Sequence, residues 1–486
     1  MNKEIRIYKN YIDGKWVEPS TGNYYTVYNP ANKGEKIGKF PLSGKNDVEE
    51  AIKSANCAFQ EWRRMLPTKK TEYIYNLIAV LEKKKENLAK VICKEEGKTF
   101  SEAMGEVNRC PSEMHFVAGE TFRLEGSNLP SERMWIQNNV IRIPIGVIAA
   151  INPWNFPLMT PIRKIIPALA AGCTVVFKPA FQTPLTAVIL TESIEEAGFP
   201  SGTVNLVMGQ GSEIGDVLVG HPLVKGVSFT GSTEVGRKIN LVAAHNFTKV
   251  QLEMGGSNPL IVADYSNLKE AASQIIKGTY SISGQRCTAI RRAIVLEKHA
   301  DMLENYVIDG AKQLKVGNGM DNSTQIGPLI NQSAVNTMLK YIESAKKEGA
   351  TIALGGRQLK GGIYDKGYYF EPTIITNVTP EMKVAKEEIF GPILLMIRVN
   401  SFEEAITVSN NTEYGLSASL FTDRMDYIFD YMENLEAGQL HINHQTVTDT
   451  HLPFGGLKYS GYGPFSKGNT NQDFYTNRKT IYIKYK

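Results

Sequence analysis

Cysteine is scarce in this chain. There are five among 486 residues, Cys57, Cys93, Cys110, Cys173 and Cys287. The number is odd, the spacing wide and no pair reads CxxC, so neither a disulfide framework nor a structural zinc site is supported. Histidine is nearly as thin, at seven residues. Two of them, His441 and His444 in "HINH", stand three apart in an expected strand and so on opposite faces, which argues against a two-histidine metal pair. No metal site is expected. Net charge is almost absent: 54 Lys+Arg against 50 Asp+Glu leave +4, too even to imply nucleic acid or an anionic membrane as partner. The one basic run, "EKKKEN" from Glu82, lies in a helical pattern and reads as a solvated face. No apolar run reaches the roughly 18 residues of a membrane span. The start, "MNKEIRIYKNYIDGKW", lacks the apolar centre of a signal peptide, so a cytoplasmic, reducing setting is expected.

What is present is the material of an ordinary soluble globular protein. Hydrophobic residues make up 42% and charged residues 21% of a chain too long for one core, so two to four domains are expected. The first third reads as largely helical, with one helix from Asn46 behind an Asn/Asp cap and a second running to Gly97. After Pro144 short apolar runs such as "VIAAIN", "CTVVFK" and "VKGVSFTG" alternate with amphipathic helices, the mark of a parallel sheet covered on both faces. A second such series follows Pro259, from "LIVA" to "GQLHIN". Two extended segments, "MWIQNNVIRIP" and "KTIYIKYK", alternate like exposed strands that need a partner, and a subunit contact is expected there.

Five stretches carry candidate chemistry. "FTGSTEVG" follows a strand and opens a helix, so Gly231, Ser232 and Thr233 stand where free N–H groups and the positive dipole end favour an anion. The same residues also make a good helix cap. "GQGSEIG", from Gly209, has GxGxxxG spacing rather than the GxGxxG of a dinucleotide fingerprint. Glu253 of "LEMGG" ends an apolar strand beside two glycines, as a mobile general base or a plain strand-end carboxylate would. "INPWNFP" is a stiff loop that either presents the Asn155 amide as an oxyanion donor or merely anchors packing through Trp154 and Phe156. Cys287 in "SGQRCTA" is either an inert buried thiol or one whose pKa the adjacent Arg286 lowers.

Together, "PWNFP", "FTGSTEVG", "LEMGG", "GQRCTA", "EEIFGP" and "LPFGGLKYSG" resemble the aldehyde dehydrogenase superfamily, in its order and over essentially the whole chain. The resemblance implies an α/β fold: a Rossmann-like dinucleotide-binding domain (1–125 and 147–256), a second α/β catalytic domain (257–452), and a small bridging β element for oligomerisation (126–146 and 466–486). It implies an NAD(P)-dependent oxidation of an aldehyde to the acid, with Cys287 as nucleophile, Glu253 as general base and Asn155 as oxyanion donor. Glu253 favours the hydrolytic branch over relatives that pass the acyl group to coenzyme A. Cofactor contacts are implied for Ile151, Trp154, Lys178, Gly211, Phe229, Gly231, Ser232, Thr233, Val235, Gly236, Glu388 and Phe390. A homodimer or homotetramer is implied, bridged by the exposed strands. A cofactor-independent cysteine esterase, or a non-catalytic protein on the same fold, are the alternatives.

Two departures from the family's pattern bear on specificity. Phe181 of "KPAF" replaces the glutamate that NAD-preferring members use to hold the ribose and repel a 2′-phosphate, so NADP is expected to be accepted, NAD being undecided. Ser257 stands where the family has lysine. The substrate pocket is expected to include Phe156, Arg163, Arg286, Thr288 and Phe454, and the two guanidiniums would either hold an anionic group on the aldehyde or pair with internal acids.

Overall fold

The computed structural model describes residues 5–486. Its first sheet has eight strands in the order Lys15–Val17, Asn10–Ile12, Val204–Leu206, Thr174–Lys178, Val147–Ile151, Val224–Thr230, Lys249–Glu253, Gly461–Tyr462. The five central strands are mutually parallel and almost wholly buried, so a run such as "VIAAI" needs no polar alternation. Strand order reverses at Val147–Ile151, whose neighbours lead away in opposite directions, and such a switch point opens a crevice at the strands' carboxyl ends. Asn155, Lys178, Gly231 and Glu253 all stand at or just beyond those ends.

Eight helices frame this half and its junction with the next: α1 (Lys45–Trp62), α2 (Pro67–Glu96), α3 (Phe100–Glu120), α4 (Met159–Ala171), α5 (Pro184–Glu196), α6 (Gly211–Val219), α7 (Thr233–Ala244) and α8 (Leu268–Tyr280). Proline at the first turn starts α2, and Gly97, at φ 101°, ends it in the left-handed conformation that glycine tolerates. Thr99 then caps α3 in a reciprocal box with Glu102: the Glu102 N–H donates to Thr99 Oγ1 at 3.2 Å and the Thr99 N–H to Glu102 Oε2 at 3.0 Å.

The second sheet has seven strands, in the order Thr351–Leu354, Thr373–Thr376, Ile393–Val399, Ile290–Leu296, Asn258–Val262, Ser417–Phe421, Gln439–Ile442, parallel except at the Thr351–Leu354 edge. Only Met254–Ser257 separate the end of a first-sheet strand from the start of a second-sheet strand. A third sheet pairs Ile136–Pro144 with Thr476–Lys484 along their whole length, and Ser127–Leu129 adds an edge. Its Leu129, Ile141, Tyr482 and Ile483 are exposed.

Three expectations need correction. The first third is not helical throughout: before α1 lie two strands at the edge of the first sheet and a hairpin, Tyr24–Asn29 with Asn32–Pro41, whose irregular register hid its alternation. Residues 466–475 are not bridging strand, because they include a short helix whose Phe474 and Tyr475 are fully buried in the core around α2 and α4. The His441 and His444 rings do not point apart but meet edge-on, 5.0 Å between centres, since the strand stops at Ile442 and Asn443 turns at φ 58°. Burial, then the neighbouring ring, pushes His441 down to about 4, so it is neutral. No group of three or more potential ligands gathers there or elsewhere among the described residues.

Candidate active site

A cavity of about 710 Å³ lies between the two parallel sheets, and Cys287 opens onto it with Asn155, Glu253, Trp154, Phe156, Arg163, Gly231, Ser232, Arg286, Thr288, Glu388, Phe390 and Phe454. Cys287 sits on a strained connection. After α8 the chain makes one tight turn, Ser281–Gly284, in which Ile282, Ser283 and Gly284 have φ of 55°, 54° and 68°. A β-branched residue in that region costs energy and persists only where its surroundings impose it. Here the Ile282 N–H donates to Glu102 Oε1 at 2.7 Å, so the carboxylate that caps α3 also pins this turn. Ser283 Oγ donates to the Gly327 carbonyl at 2.8 Å. Gly284 admits no side chain, because a Cβ would overlap the Gly391 carbonyl. Beyond the thiol, Asn258 Nδ2 donates to the carbonyls of Cys287 at 2.7 Å and Ala289 at 2.8 Å. Arg291, fully buried, ties Gly284 and Gly391 together through their carbonyls.

Asn155 is held from the other sheet. A buried ion pair, Lys98 Nζ to Glu106 Oε2 at 2.8 Å, donates a further bond from Lys98 to the Asn155 carbonyl at 2.6 Å. Glu106 Oε1 accepts from the Leu158 and Met159 N–H groups, each at 2.9 Å, at the start of α4. The Asn155 amide is thereby fixed across the gap, where Nδ2 donates to the Gln285 carbonyl at 2.9 Å, two residues before the thiol.

The electrostatics of Cys287 depart from the expectation that Arg286 lowers its pKa. Burial, and after it the carboxylates of Glu388 and Glu253, outweigh Arg286 and push the thiol up to about 11. Glu253 is buried, accepts a long bond (3.4 Å) from the Ser466 N–H, and leaves its other oxygen without a partner. Burial raises its carboxyl well above the ordinary carboxylate range, against the pull of Lys164. Lys164 is correspondingly lowered by burial, and its ammonium donates to Ser228 Oγ at 3.1 Å. A weakly acidic carboxyl with one oxygen unpartnered, sharing a cavity with a thiol, can take and give protons near neutrality.

The candidate substrate residues divide. Phe156 lies under Lys98, the ammonium 4.4 Å from the ring centre. Thr288 is buried, its carbonyl accepting from Thr446 Oγ1 at 2.7 Å. Phe454 lies near Arg163, 5.9 Å from guanidinium to ring centre. Arg163 itself forms a fork on Glu113, with Nη2 at 2.6 Å and Nε at 3.2 Å, so its charge is already matched. Among the described residues Arg286 meets no carboxylate at ion-pair distance: Nη2 donates to the Gly278 carbonyl at 3.0 Å and Nε is buried without a partner.

The chain matches the Aldehyde dehydrogenase family over residues 16–481. It is 38% identical to an alpha-ketoglutaric semialdehyde dehydrogenase of Bacillus subtilis (strain 168), over 99% of each chain. The protein belongs to the aldehyde dehydrogenase family. Among solved structures, it resembles betaine aldehyde dehydrogenase of Staphylococcus aureus in complex with NAD+, at 35% identity and a TM-score of 0.96, covering 98% of this chain and 94% of that one. An E. coli NADP dependent enzyme superposes with a TM-score of 0.95 at 35% identity, covering 99% and 98%. As an aldehyde dehydrogenase, it oxidises an aldehyde to the carboxylic acid with NAD(P) as hydride acceptor. No helix among the described residues is long and apolar enough to cross a membrane.

The residues at the switch point fit a dinucleotide. Among the described residues, buried Lys178 has only the Pro179 carbonyl as partner, at 3.2 Å, so it has donors to spare, and burial pulls it down to about 8. A Cβ on Gly211 would meet, among the described residues, only Lys178 Cε at 4.0 Å, so the backbone there is open to a close approach. At the start of α7, Ser232 Oγ accepts the Val235 N–H at 3.4 Å, Thr233 Oγ1 donates to the Tyr459 carbonyl at 3.3 Å, and Val235 is an exposed apolar surface. Gly231 and Gly236 leave room only for the Phe229 ring and the Met254 side chain respectively. Ile151 pairs with Phe229 across the switch point, and Trp154 meets Phe390 edge-on at 5.6 Å. Glu388 accepts the Gly256 N–H at 3.1 Å and occupies the space that the missing Gly255 side chain leaves. Phe181 stacks on Tyr25, ring centres 3.8 Å apart, which puts an aromatic pair where a ribose-binding carboxylate was sought.

Sequence reasoning missed Lys98, Glu106, Glu102, Arg109 and Lys164. Glu102, Glu106 and Arg109 recur along α3 and Lys164 lies on α4, a signal legible only once the inward faces are known, whereas Lys98 lies in the short link between α2 and α3, where no periodicity marks it.

Proposed function

We propose that this enzyme oxidises an aldehyde carrying a distal anionic group, a semialdehyde, to the corresponding dicarboxylate or its analogue. The observation that carries this reading is that guanidiniums without a matching carboxylate, Arg286 among them, line the cavity onto which Cys287 opens. The semialdehyde named for the Bacillus subtilis relative is of this class.

In this reading Cys287 loses its proton to Glu253 and its sulfur adds to the aldehyde carbon. The resulting oxyanion is met by the Asn155 amide, fixed in advance by Lys98 and Glu106 so that it need not reorganise. When bound, the dinucleotide supplies the hydride acceptor; Lys178, Gly211, Glu388 and the start of α7 would hold it. Once Glu253 has released that proton to solvent, it removes a proton from water, whose oxygen attacks the Cys287 thioester and expels the thiolate with the acid. Phe181 stacked on Tyr25, with the spare donors of Lys178, supports acceptance of NADP as well as NAD. The outward sheet of Ile136–Pro144 and Thr476–Lys484, with its exposed Tyr482 and Ile483, supports a homo-oligomeric contact.

The test is steady-state reduction of NAD and of NADP, followed by absorbance, with succinic semialdehyde, the uncharged butanal and the cationic betaine aldehyde. A catalytic efficiency at least about tenfold higher for the semialdehyde is expected, a difference of about 1.4 kcal/mol. Equal efficiencies across the three would refute the anionic substrate, and no activity with NADP would refute that part.

A further inference from the structure

Along α3, Glu102, Glu106 and Arg109 line the cavity and Glu113 follows one turn later on the same side. Three cations gather at this end. Arg163 is spent on Glu113, and Lys467, almost fully buried, lies 3.6 Å from the same carboxylate while donating to the Asp449 carbonyl at 2.6 Å. Arg109 has neither. Its Nη2 donates to the Thr448 carbonyl at 2.6 Å and weakly to Thr448 Oγ1 at 3.4 Å, and among the described residues no carboxylate stands within ion-pair distance of it. Glu113 is thereby shared by Arg163 and Lys467, while Arg109, a half-buried guanidinium in the cavity wall, is left with Glu113 and Asp449 acting on it only from beyond ion-pair distance. Burial and then Arg163 both disfavour the Arg109 cation, so a bound anion would relieve an existing cost.

We propose that Arg109, rather than Arg163, grips the anionic end of the substrate, a carboxylate or sulfonate matched by a planar guanidinium fork, and that Glu113 is a positioning residue that holds Arg163 and Lys467 behind it. The proposal rests on the anionic-aldehyde reading above and deepens it. Arg163 acts through Glu113: with its fork occupied it shapes the wall and keeps Glu113 from turning to neutralise Arg109. A carboxylate on Arg109 gains two parallel charge-assisted bonds that an uncharged aldehyde of equal length cannot make.

The experiment compares the full-length wild type with Arg109→Met, Arg109→Lys and Arg163→Met, using succinic semialdehyde and butanal with NAD or NADP in saturating amount. In Arg109→Met the ratio of semialdehyde to butanal efficiency is expected to fall about 10- to 100-fold, mostly through KM with kcat changed little. Arg109→Lys should keep part of the preference, because a point charge survives without the fork. Arg163→Met should cost the ratio less than Arg109→Met. A preference that survives Arg109→Met but collapses in Arg163→Met would overturn the assignment while leaving the anionic substrate standing. A wild type without any preference would instead defeat the substrate reading itself. Butanal turnover in the same Arg109→Met preparation reports that the variant is folded.

Discussion

The two parallel sheets supply the site by opposite rules. On the first, every functional position lies where a doubly wound sheet usually binds ligands, at the carboxyl ends of strands beside the switch point: Asn155, Lys178, Gly231 and Glu253. On the second, Cys287 stands before the amino end of Ile290–Leu296, just after a turn with three successive left-handed residues. The short link Met254–Ser257 brings the carboxyl end of one sheet against the amino end of the other, so base and thiol meet across a seam. The first half needs no strain to place its groups. The second stores strain in the Ser281–Gly284 turn, and that turn is held from outside by Glu102, Gly327 and Arg291.

The largest effect tests whether the seam joins a base to a nucleophile. Glu253→Gln removes both the group that takes the Cys287 proton and the group that activates water, so the one-equivalent burst of reduced cofactor should slow and steady turnover should fall about 10²- to 10⁴-fold. Cys287→Ala should show no burst. Wild-type turnover in Glu253→Gln would move the base to another group and break the pairing of the two sheets.

The same contrast explains what could be read in advance. Asn155 and Gly231 follow apolar strands in βα units and Glu253 ends another such strand, so local pattern and motif agree with the final geometry. Arg163 was legible as a cation near the substrate, but its partner Glu113 lies 50 residues away on another helix, and nothing local announces a fork between them. The Lys98 hold on Asn155 spans 57 residues, and the Glu102 hold on Ile282 spans 180. The raised thiol pKa was beyond sequence for the same reason: Arg286 is adjacent in the chain, whereas Glu388 and Glu253 reach Cys287 only through the fold.

A mid-sized effect separates the strained half from the relaxed one. Gly284→Ala places a Cβ into the Gly391 carbonyl at a φ of 68°, and should cost about 2–4 kcal/mol of stability, read as a lowered urea midpoint. Gly211→Ala, at the open start of α6 with its nearest neighbour Lys178 Cε 4.0 Å away, should stay within about 0.5 kcal/mol of wild type. Equal losses would mean that the Ser281–Gly284 turn carries no special constraint.

The smallest effect probes how the seam sets the thiol. Cys287 is held as the neutral thiol, pushed up to about 11 by burial first and by Glu388 and Glu253 after it, so its alkylation by iodoacetamide should still be rising with pH above 9. The sign for each neighbour follows from charge. Glu388→Gln removes a negative charge that disfavours the thiolate, so the profile should move to lower pH and alkylation at pH 8 should quicken about two- to tenfold. Arg286→Met removes a cation that favours the thiolate, so the profile should move to higher pH and slow by a comparable factor. Both shifts should shrink little in added salt, because the groups are shielded from solvent ions by the cavity walls. A profile indifferent to Glu388 but sensitive to Arg286 would mean that the thiol answers to its neighbour in the chain alone, and not to the Glu388 carboxylate that the fold brings to it.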